Sequence, residues 1–329
     1  MSKNVLLTGG AGFIGHHLVE HLLVNTDFNI ICIDRLDASG TVHRLKEVMD
    51  IYPRHASRVK FMYHDLKAPI NGFVANNIGR IDYILHLAAA SHVDRSIEDP
   101  MSFVMDNVVG TTNLLNYAKE LDSLELLINF STDEVFGPAP LGVLYKEWDR
   151  YDSTNPYSAS KAGAEEMCLA FANTYKMPII NTHCMNVFGE RQHPEKYIPM
   201  CINKILTGEK ITVHASASGE PGKRHYIHAR NVSSAVLFLL THWQQRQKYN
   251  IVGEKEVDNL QLAQLIADVM EKPLNYELVD YHSSRPGHDL RYAMDGNKMK
   301  RLGWNLTDNF EEGLKQTVIW TLENKRWLA

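Results

Sequence analysis

The sequence predicts an α/β protein built on a doubly wound parallel sheet, followed by a smaller α/β C-terminal lobe. Three observations predict it. Strand-like apolar runs alternate with helix-period patterns through residues 4–187, the order of a parallel sheet with crossover helices. The first run opens into a glycine-rich turn and then at once a helix, and the second ends in a carboxylate. Beyond Val187 the chain turns irregular and polar, with Gly, Pro, Ser, Lys and Arg gathered at 190–199 and 213–224, as in ligand-binding loops.

Residues 4–7 begin the first strand, and Thr8-Gly9-Gly10-Ala11-Gly12-Phe13-Ile14-Gly15 leads into a helical pattern through Leu23. Gly9, Gly12 and Gly15 allow a tight turn, close approach of a pyrophosphate and close helix packing, with Phe13 and Ile14 opening the helix beside the anion. A second strand, 30–33, ends in Asp34 at the distance expected of a ribose-binding acid. Together these form a Rossmann dinucleotide unit. Asp34 would accept from the ribose diol and repel a 2′-phosphate, so the expected cofactor is NAD rather than NADP; Arg35 beside it argues the other way. A third strand, 59–63, closes at His64, Asp65 and Leu66, placed to flank the adenine. The fourth, 83–87, runs into Ala88-Ala89-Ala90-Ser91-His92, where Leu87, Ala88 and Ala89 let a cofactor lie close over the backbone. Helices are expected around 107–121 and 159–174, and further strands at 126–130 and 178–187. A helix at 232–242, a strand at 249–252 and a helix at 260–271 complete the pattern. The expected division is an NAD-binding Rossmann domain over 1–189, with returning segments near 226–253, and a mainly substrate-binding lobe over 190–329.

Composition narrows the classes. A chain of 329 residues with 44% apolar content can bury a large core. No apolar run reaches the roughly 18 residues of a membrane helix, and the start Met1-Ser2-Lys3-Asn4 lacks a signal-peptide pattern, so a cytoplasmic location is expected. Cys32, Cys168, Cys184 and Cys201 are widely spaced and read as buried thiols. Sixteen histidines include no zinc-binding pattern, no metal is expected, and the His16-His17 pair reads as a packing or solvated pair. A net charge of −5 argues against nonspecific nucleic-acid binding.

The chemistry concentrates in Ser131-Thr132-Asp133-Glu134 with Tyr157 and Lys161. On a helix Tyr157 and Lys161, spaced i and i+4, share a face, and a neighbouring ammonium is expected to lower the phenol's pKa and make it a base. Asp133 and Glu134 can meet one ligand only if the strand 126–130 is ending there, as Gly137, Pro138 and Pro140 suggest. Two carboxyls crowded in a pocket cannot both ionise easily, so one should keep its proton while the other serves as base. Hydroxyl, phenol, ammonium and two carboxyls suit hydride transfer coupled to loss of water.

With these residues assembled, the sequence resembles the extended short-chain dehydrogenase/reductase superfamily, and within it the nucleoside-diphosphate-sugar 4,6-dehydratases. The similarity runs from the Thr8–Gly15 loop through His-Leu-Ala-Ala-Ala-Ser-His-Val-Asp-Arg-Ser from His86, residues 131–137, 156–161 and 194–199, to Arg285-Pro286-Gly287-His288-Asp289. It implies that Tyr157, aided by Lys161 and Thr132, takes the C4 hydroxyl proton as hydride leaves C4 for NAD. Glu134 would then remove the C5 proton while Asp133 protonates the departing C6 hydroxyl, and return of hydride to C6 and of a proton to C5 leaves a 4-keto-6-deoxy sugar nucleotide. Tyr157 and Lys161 would also touch the cofactor. Substrate contacts implied by the resemblance are Ser91, His92, Asn186, Lys196, His214, Arg224, Lys255, Arg285 and His288. Thr212 and His214 stand where the thymidine-type enzymes carry Pro and Tyr, Lys255 replaces an asparagine and Ala90 a glutamate. A UDP- or dTDP-hexose is therefore expected first, with CDP- and GDP-hexoses open, and a homodimer through the helices near Asn107 and Ala159. Two alternatives stand beside this: a sugar-nucleotide 4-epimerase or reductase, using Tyr157, Lys161 and Thr132 without the acid and base, and a noncatalytic NAD-binding scaffold.

Overall fold

The computed structural model describes residues 2–37, 39–280 and 290–329. Five apolar runs of the first half become strands: β1 (Asn4–Thr8), β2 (Asn29–Asp34), β3 (Val59–Tyr63), β4 (Tyr83–His86) and β5 (Leu126–Thr132). Next come β6 (Ile179–Cys184), β7 (Asn186–Phe188), β8 (Ile211–Ala215), β9 (Lys223–His228), β10 (Lys248–Ile251), β11 (Glu256–Asp258) and β12 (Tyr276–Asp280). The main sheet has seven strands in the order β10-β6-β5-β4-β1-β2-β3, every neighbouring pair parallel. Every residue of β4, β5 and β6 is buried, as expected where helices cover both faces of a parallel sheet. The chain winds outward from β1 through β2 to β3, then returns to lay β4 on the other side of β1. That reversal opens a crevice above the carboxyl ends of β1 and β4, the place where such sheets bind ligands. The fold is the α/β Rossmann architecture that the alternation predicts.

Two expectations need correction. The single strand over 178–187 is in fact two: Cys184 makes the final pairing with β5, opposite Thr132, and Asn186 then pairs with Tyr226 in a separate sheet, β11-β9-β7. The expected loops are also partly ordered, since Tyr197–Thr207 is a helix and residues within 213–224 belong to β8 and β9. Ile198, Cys201, Ile202 and Ile205 give that helix a buried face, while Pro199 sits in its first turn, where a missing N–H costs nothing. These residues join Phe188, Tyr226, Leu262, Ile266, Phe310 and Leu314 in a second hydrophobic core.

The four cysteines are free and buried. His16 and His17 are buried at the start of the helix Phe13–Asn25, and His17 Nε2 lies 3.0 Å from the Glu190 carbonyl oxygen. Desolvation pushes the His17 pKa down to about 3, so the ring is neutral. Among the described residues no helix is long and apolar enough to cross a membrane.

One long-range contact ties the C-terminal region to the glycine-rich turn. Trp327 lies against the buried Arg44 guanidinium at 5.2 Å, while Arg326 pairs with Glu47 at 2.8 Å. Arg44 donates to the backbone carbonyls of Ala11 (3.2 Å), Ser39 (2.6 Å) and Arg191 (3.0 Å). A second stack, Arg191 over Trp320 at 4.7 Å, reinforces it.

Candidate active site

A cleft of about 1100 Å³ runs across the carboxyl ends of the central strands. One end is built from the glycine turn. Gly9 has φ +74°, a left-handed conformation that glycine adopts without strain, and a side chain there would meet the Ala88 backbone nitrogen at 2.8 Å. A side chain at Gly15 would collide with the Gly9 carbonyl, so helix and turn close on one another as a pyrophosphate cradle requires. Gly12, Phe13, Ile14, Leu87, Ala88 and Ala89 line the same end. At the tip of β2, Asp34 accepts from the N–H groups of Ala11 (3.1 Å) and Leu36 (2.9 Å), fixing its carboxylate at the rim. Burial holds this carboxyl above its ordinary range, against those two donors. Asp65 and Leu66 follow at the end of β3, Asp65 accepting from Lys67 N–H at 3.0 Å. The cradle, the ribose-side acid and the small residues over the backbone fit a dinucleotide.

The middle of the cleft carries the expected catalytic groups. β5 runs two residues further than expected, through Thr132, and breaks into a 3₁₀ turn, Asp133–Phe136. That turn frees Asp133 and Glu134 from strand alternation. Thr132 caps it, its hydroxyl oxygen accepting from Glu134 N–H (3.3 Å) and its O–H donating to Asp133 Oδ1 (3.1 Å). Tyr157 and Lys161 project from the helix Pro156–Thr174 into the same cleft, both buried. Asn155 caps that helix through Ser158 N–H (2.9 Å) and donates to Glu134 Oε2 (3.3 Å), and Tyr157 N–H donates to Ser96 Oγ (3.1 Å).

Burial dominates the electrostatics. It lifts Asp133 to about 6, with Arg224 opposing. Glu134 rises to about 7, first from burial and then from the Asp133 charge. The pair therefore holds a proton near neutrality, as expected of crowded carboxyls. For Tyr157 the expectation is corrected: its phenol is pushed up, because desolvation and the Glu134 charge outweigh the opposing influence of the Thr132 hydroxyl beside it. Lys161 is itself desolvated and brought down to about 8, so the ammonium is a weaker influence than the spacing alone suggests.

The far end brings together Ser91, His92, Asn186, Lys196 and Arg224. Lys196 Nζ donates to the Ser91 carbonyl at 3.4 Å, and Arg224 donates to the carbonyls of Lys223 (2.7 Å) and Leu290 (2.8 Å) beneath the Tyr292 ring. Two expected contacts stand away from the cleft wall formed by the described residues. Lys255 turns to Glu311 and the Phe310 ring, because Glu311 offers a carboxylate on the neighbouring helix. His214 lies half-buried in β8, its partner in register being Val279 of β12. Arg285 and His288 lie outside the described residues.

Several functional neighbours escape sequence reasoning. Asn107, in a π-helical segment (Val104–Val109), holds both backbone groups of Ala90, at 2.8 and 3.0 Å, and donates to Ser160 Oγ at 2.8 Å. Nothing in its surroundings in sequence marks that role. Asn155 does carry a signal, since Asn-Pro at a helix start is a cap signature. Arg95 and Glu195 pair at 2.8 and 2.9 Å at the cleft mouth.

The sequence profile of the GDP-mannose 4,6 dehydratase family matches residues 6–317. The chain belongs to this family. It is 36% identical to a dTDP-glucose 4,6-dehydratase of Escherichia coli, over 98% of this chain and 94% of that one. It is also 34% identical to a trifunctional UDP-glucose 4,6-dehydratase/3,5-epimerase/reductase of Arabidopsis thaliana, over 99% of this chain and 48% of that protein. The crystal structure of DesIV, a dTDP-glucose 4,6-dehydratase from Streptomyces venezuelae with NAD bound, superposes with a TM-score of 0.88 at 33% identity, covering 98% of each chain. A UDP-glucose 4-epimerase of Thermus thermophilus, also in complex with NAD, gives 0.85 at 27% identity. Dehydratases and epimerases thus share this architecture, and the groups in the cleft must distinguish them.

Proposed function

We propose that this family member is an NAD-dependent 4,6-dehydratase of a nucleoside-diphosphate hexose, forming a 4-keto-6-deoxy sugar nucleotide. The observation that carries the reading is the buried Asp133–Glu134 pair on the turn after β5, facing the same cleft as Tyr157 and Lys161. Epimerisation at C4 needs a hydroxyl-directed base but no second acid and base; elimination of water needs both. NAD, when bound, supplies the hydride acceptor at C4 and the donor at C6. Tyr157 takes the C4 hydroxyl proton, with Thr132 holding its phenol oxygen and Lys161 supplying positive charge. The reactive form of the singly protonated pair has Glu134 ionised and Asp133 protonated. Glu134 removes the proton from C5, which the new ketone has made acidic, Asp133 protonates the C6 hydroxyl as it leaves, and a proton returns to C5 as hydride reaches C6. Arg224 and Lys196 orient the diphosphate, arginine through its planar fork of paired donors.

Asp133→Asn and Glu134→Gln test this directly. Each should cut water loss by at least about a hundredfold, the scale of a lost general acid or base, while reduction of NAD at 340 nm still reports C4 oxidation. Unchanged dehydration in both variants would sink the assignment. The donor is proposed to be UDP- or dTDP-glucose; mass spectrometry with UDP-, dTDP-, CDP- and GDP-hexoses, read as loss of one water, identifies it. We also propose a cytoplasmic homodimer joined through the helices near Asn107 and Ala159. Exposed Ile97, Met101, Val104 and Met105 beside them support that surface. Light scattering at micromolar concentration should give twice the chain mass.

A further inference from the structure

We infer that Asp106, with Asp37, sets the choice of NAD over NADP by sequestering Arg35; the inference rests on the proposal that the cleft binds a nicotinamide dinucleotide. Arg35 follows Asp34 at the tip of β2 and lines the adenosine end of the cleft. By position alone it is the guanidinium a 2′-phosphate would use. Its donors are already engaged. NH1 and NH2 bind the two carboxylate oxygens of Asp106 at 2.5 and 2.7 Å, in the bidentate geometry that suits this pair. Nε and NH2 bind Asp37 Oδ2 at 2.9 and 2.7 Å. Of the five N–H groups of a guanidinium, these contacts occupy four, and NH1 faces Asp65 Oδ2 at 3.9 Å.

The grip is built from both sides. Asp106 is almost fully buried at its side chain and comes from the π-helical segment that also carries Asn107. The extra residue of such a bulge lets neighbouring side chains reach different targets. Here Asp106 reaches the tip of β2 while Asn107 reaches the Ala90 backbone. Lys67 is drawn in as well, 3.7 Å from Asp106 and 3.4 Å from Asp65. Two cations thus stand among Asp37, Asp65 and Asp106, with Asp34 alongside. The rim is net negative where NADP would place a dianion, and the one guanidinium able to bind it is spoken for.

The test compares NAD and NADP affinities of apoprotein by isothermal calorimetry for wild type, D106N, D37N/D106N and R35A/D37N/D106N. Wild type should select NAD. Freeing Arg35 should raise NADP affinity relative to NAD by about tenfold or more in D37N/D106N, the size of one charge-assisted hydrogen bond, with a smaller gain in D106N. The triple variant should lose that gain, and NAD binding in each variant shows that the fold is kept. An unchanged NADP to NAD ratio in D37N/D106N overturns the inference while leaving the cofactor reading intact. A gain that persists without Arg35 also overturns it, assigning selectivity to carboxylate repulsion alone. Wild type binding neither dinucleotide would instead overturn the cofactor reading.

Discussion

Asp133 carries the clearest residue-scale signature of the site. Its Oδ2 is buried without a hydrogen-bond partner among the described residues, while Oδ1 accepts from Thr132. A carboxylate in that position is costly to ionise, and its rise to about 6 expresses the cost. The folded pKa lies above the unfolded value, so folding binds the proton more tightly, and stability falls as pH rises from about 4 through 6. Asp133→Asn should therefore raise the melting temperature by a few degrees at pH 8, on the order of 2 kcal/mol, with the advantage gone near pH 4. Equal melting curves at pH 8 would contradict the burial argument. For turnover the pair must hold one proton, so the rate should rise through about 6 and fall above about 7, a bell read from initial rates against pH. At this scale the meeting of Asp133, Glu134, Tyr157 and Lys161 in one cleft was legible because residue type and spacing were read together with the glycine-rich turn upstream. The raised Tyr157 pKa was not, since desolvation depends on the fold around the phenol.

At the scale of elements, the decisive feature is where regular structure stops. β5 ends at Thr132, and the helix Pro156–Thr174 begins beneath the Asn155 cap, so one cap residue touches both the catalytic helix and Glu134. Asn155→Ala should cost about 1 kcal/mol of stability as a lost cap, together with activity. Asn155→Asp keeps the cap but adds a further carboxylate beside Glu134, in addition to Asp133, raising its pKa further. The melting temperature should then stay near wild type while one limb of the pH–rate bell moves upward. The limb that moves should be the alkaline one, because Glu134 carries the higher value of the pair. The succession of strands and helices along the chain was legible from alternation and period, and β3 falls on the expected residues. The split between β6 and β7 was not, because an apolar run does not show which sheet its far end joins. The helix Tyr197–Thr207 was hidden by Pro199, which reads as a loop residue unless it stands in a first turn.

Across the whole molecule, the cofactor end of the cleft is held from the C-terminal region. Arg44 steadies the glycine turn through the Ala11 carbonyl, and Trp327 covers Arg44. Removing an indole from such a stack costs about 1 kcal/mol, so Trp327→Ala should release NAD severalfold faster, measured as nucleotide retained after dialysis. Release at the wild-type rate would show that Arg44 needs no cover. No local pattern links positions so far apart, so sequence reading had no means to join Trp327 to a turn it had already identified. The order of synthesis gives this contact a further meaning. The glycine turn leaves the ribosome well before the tryptophan that steadies its arginine. A nascent chain therefore presents the phosphate cradle without its brace until Trp327 folds back onto Arg44.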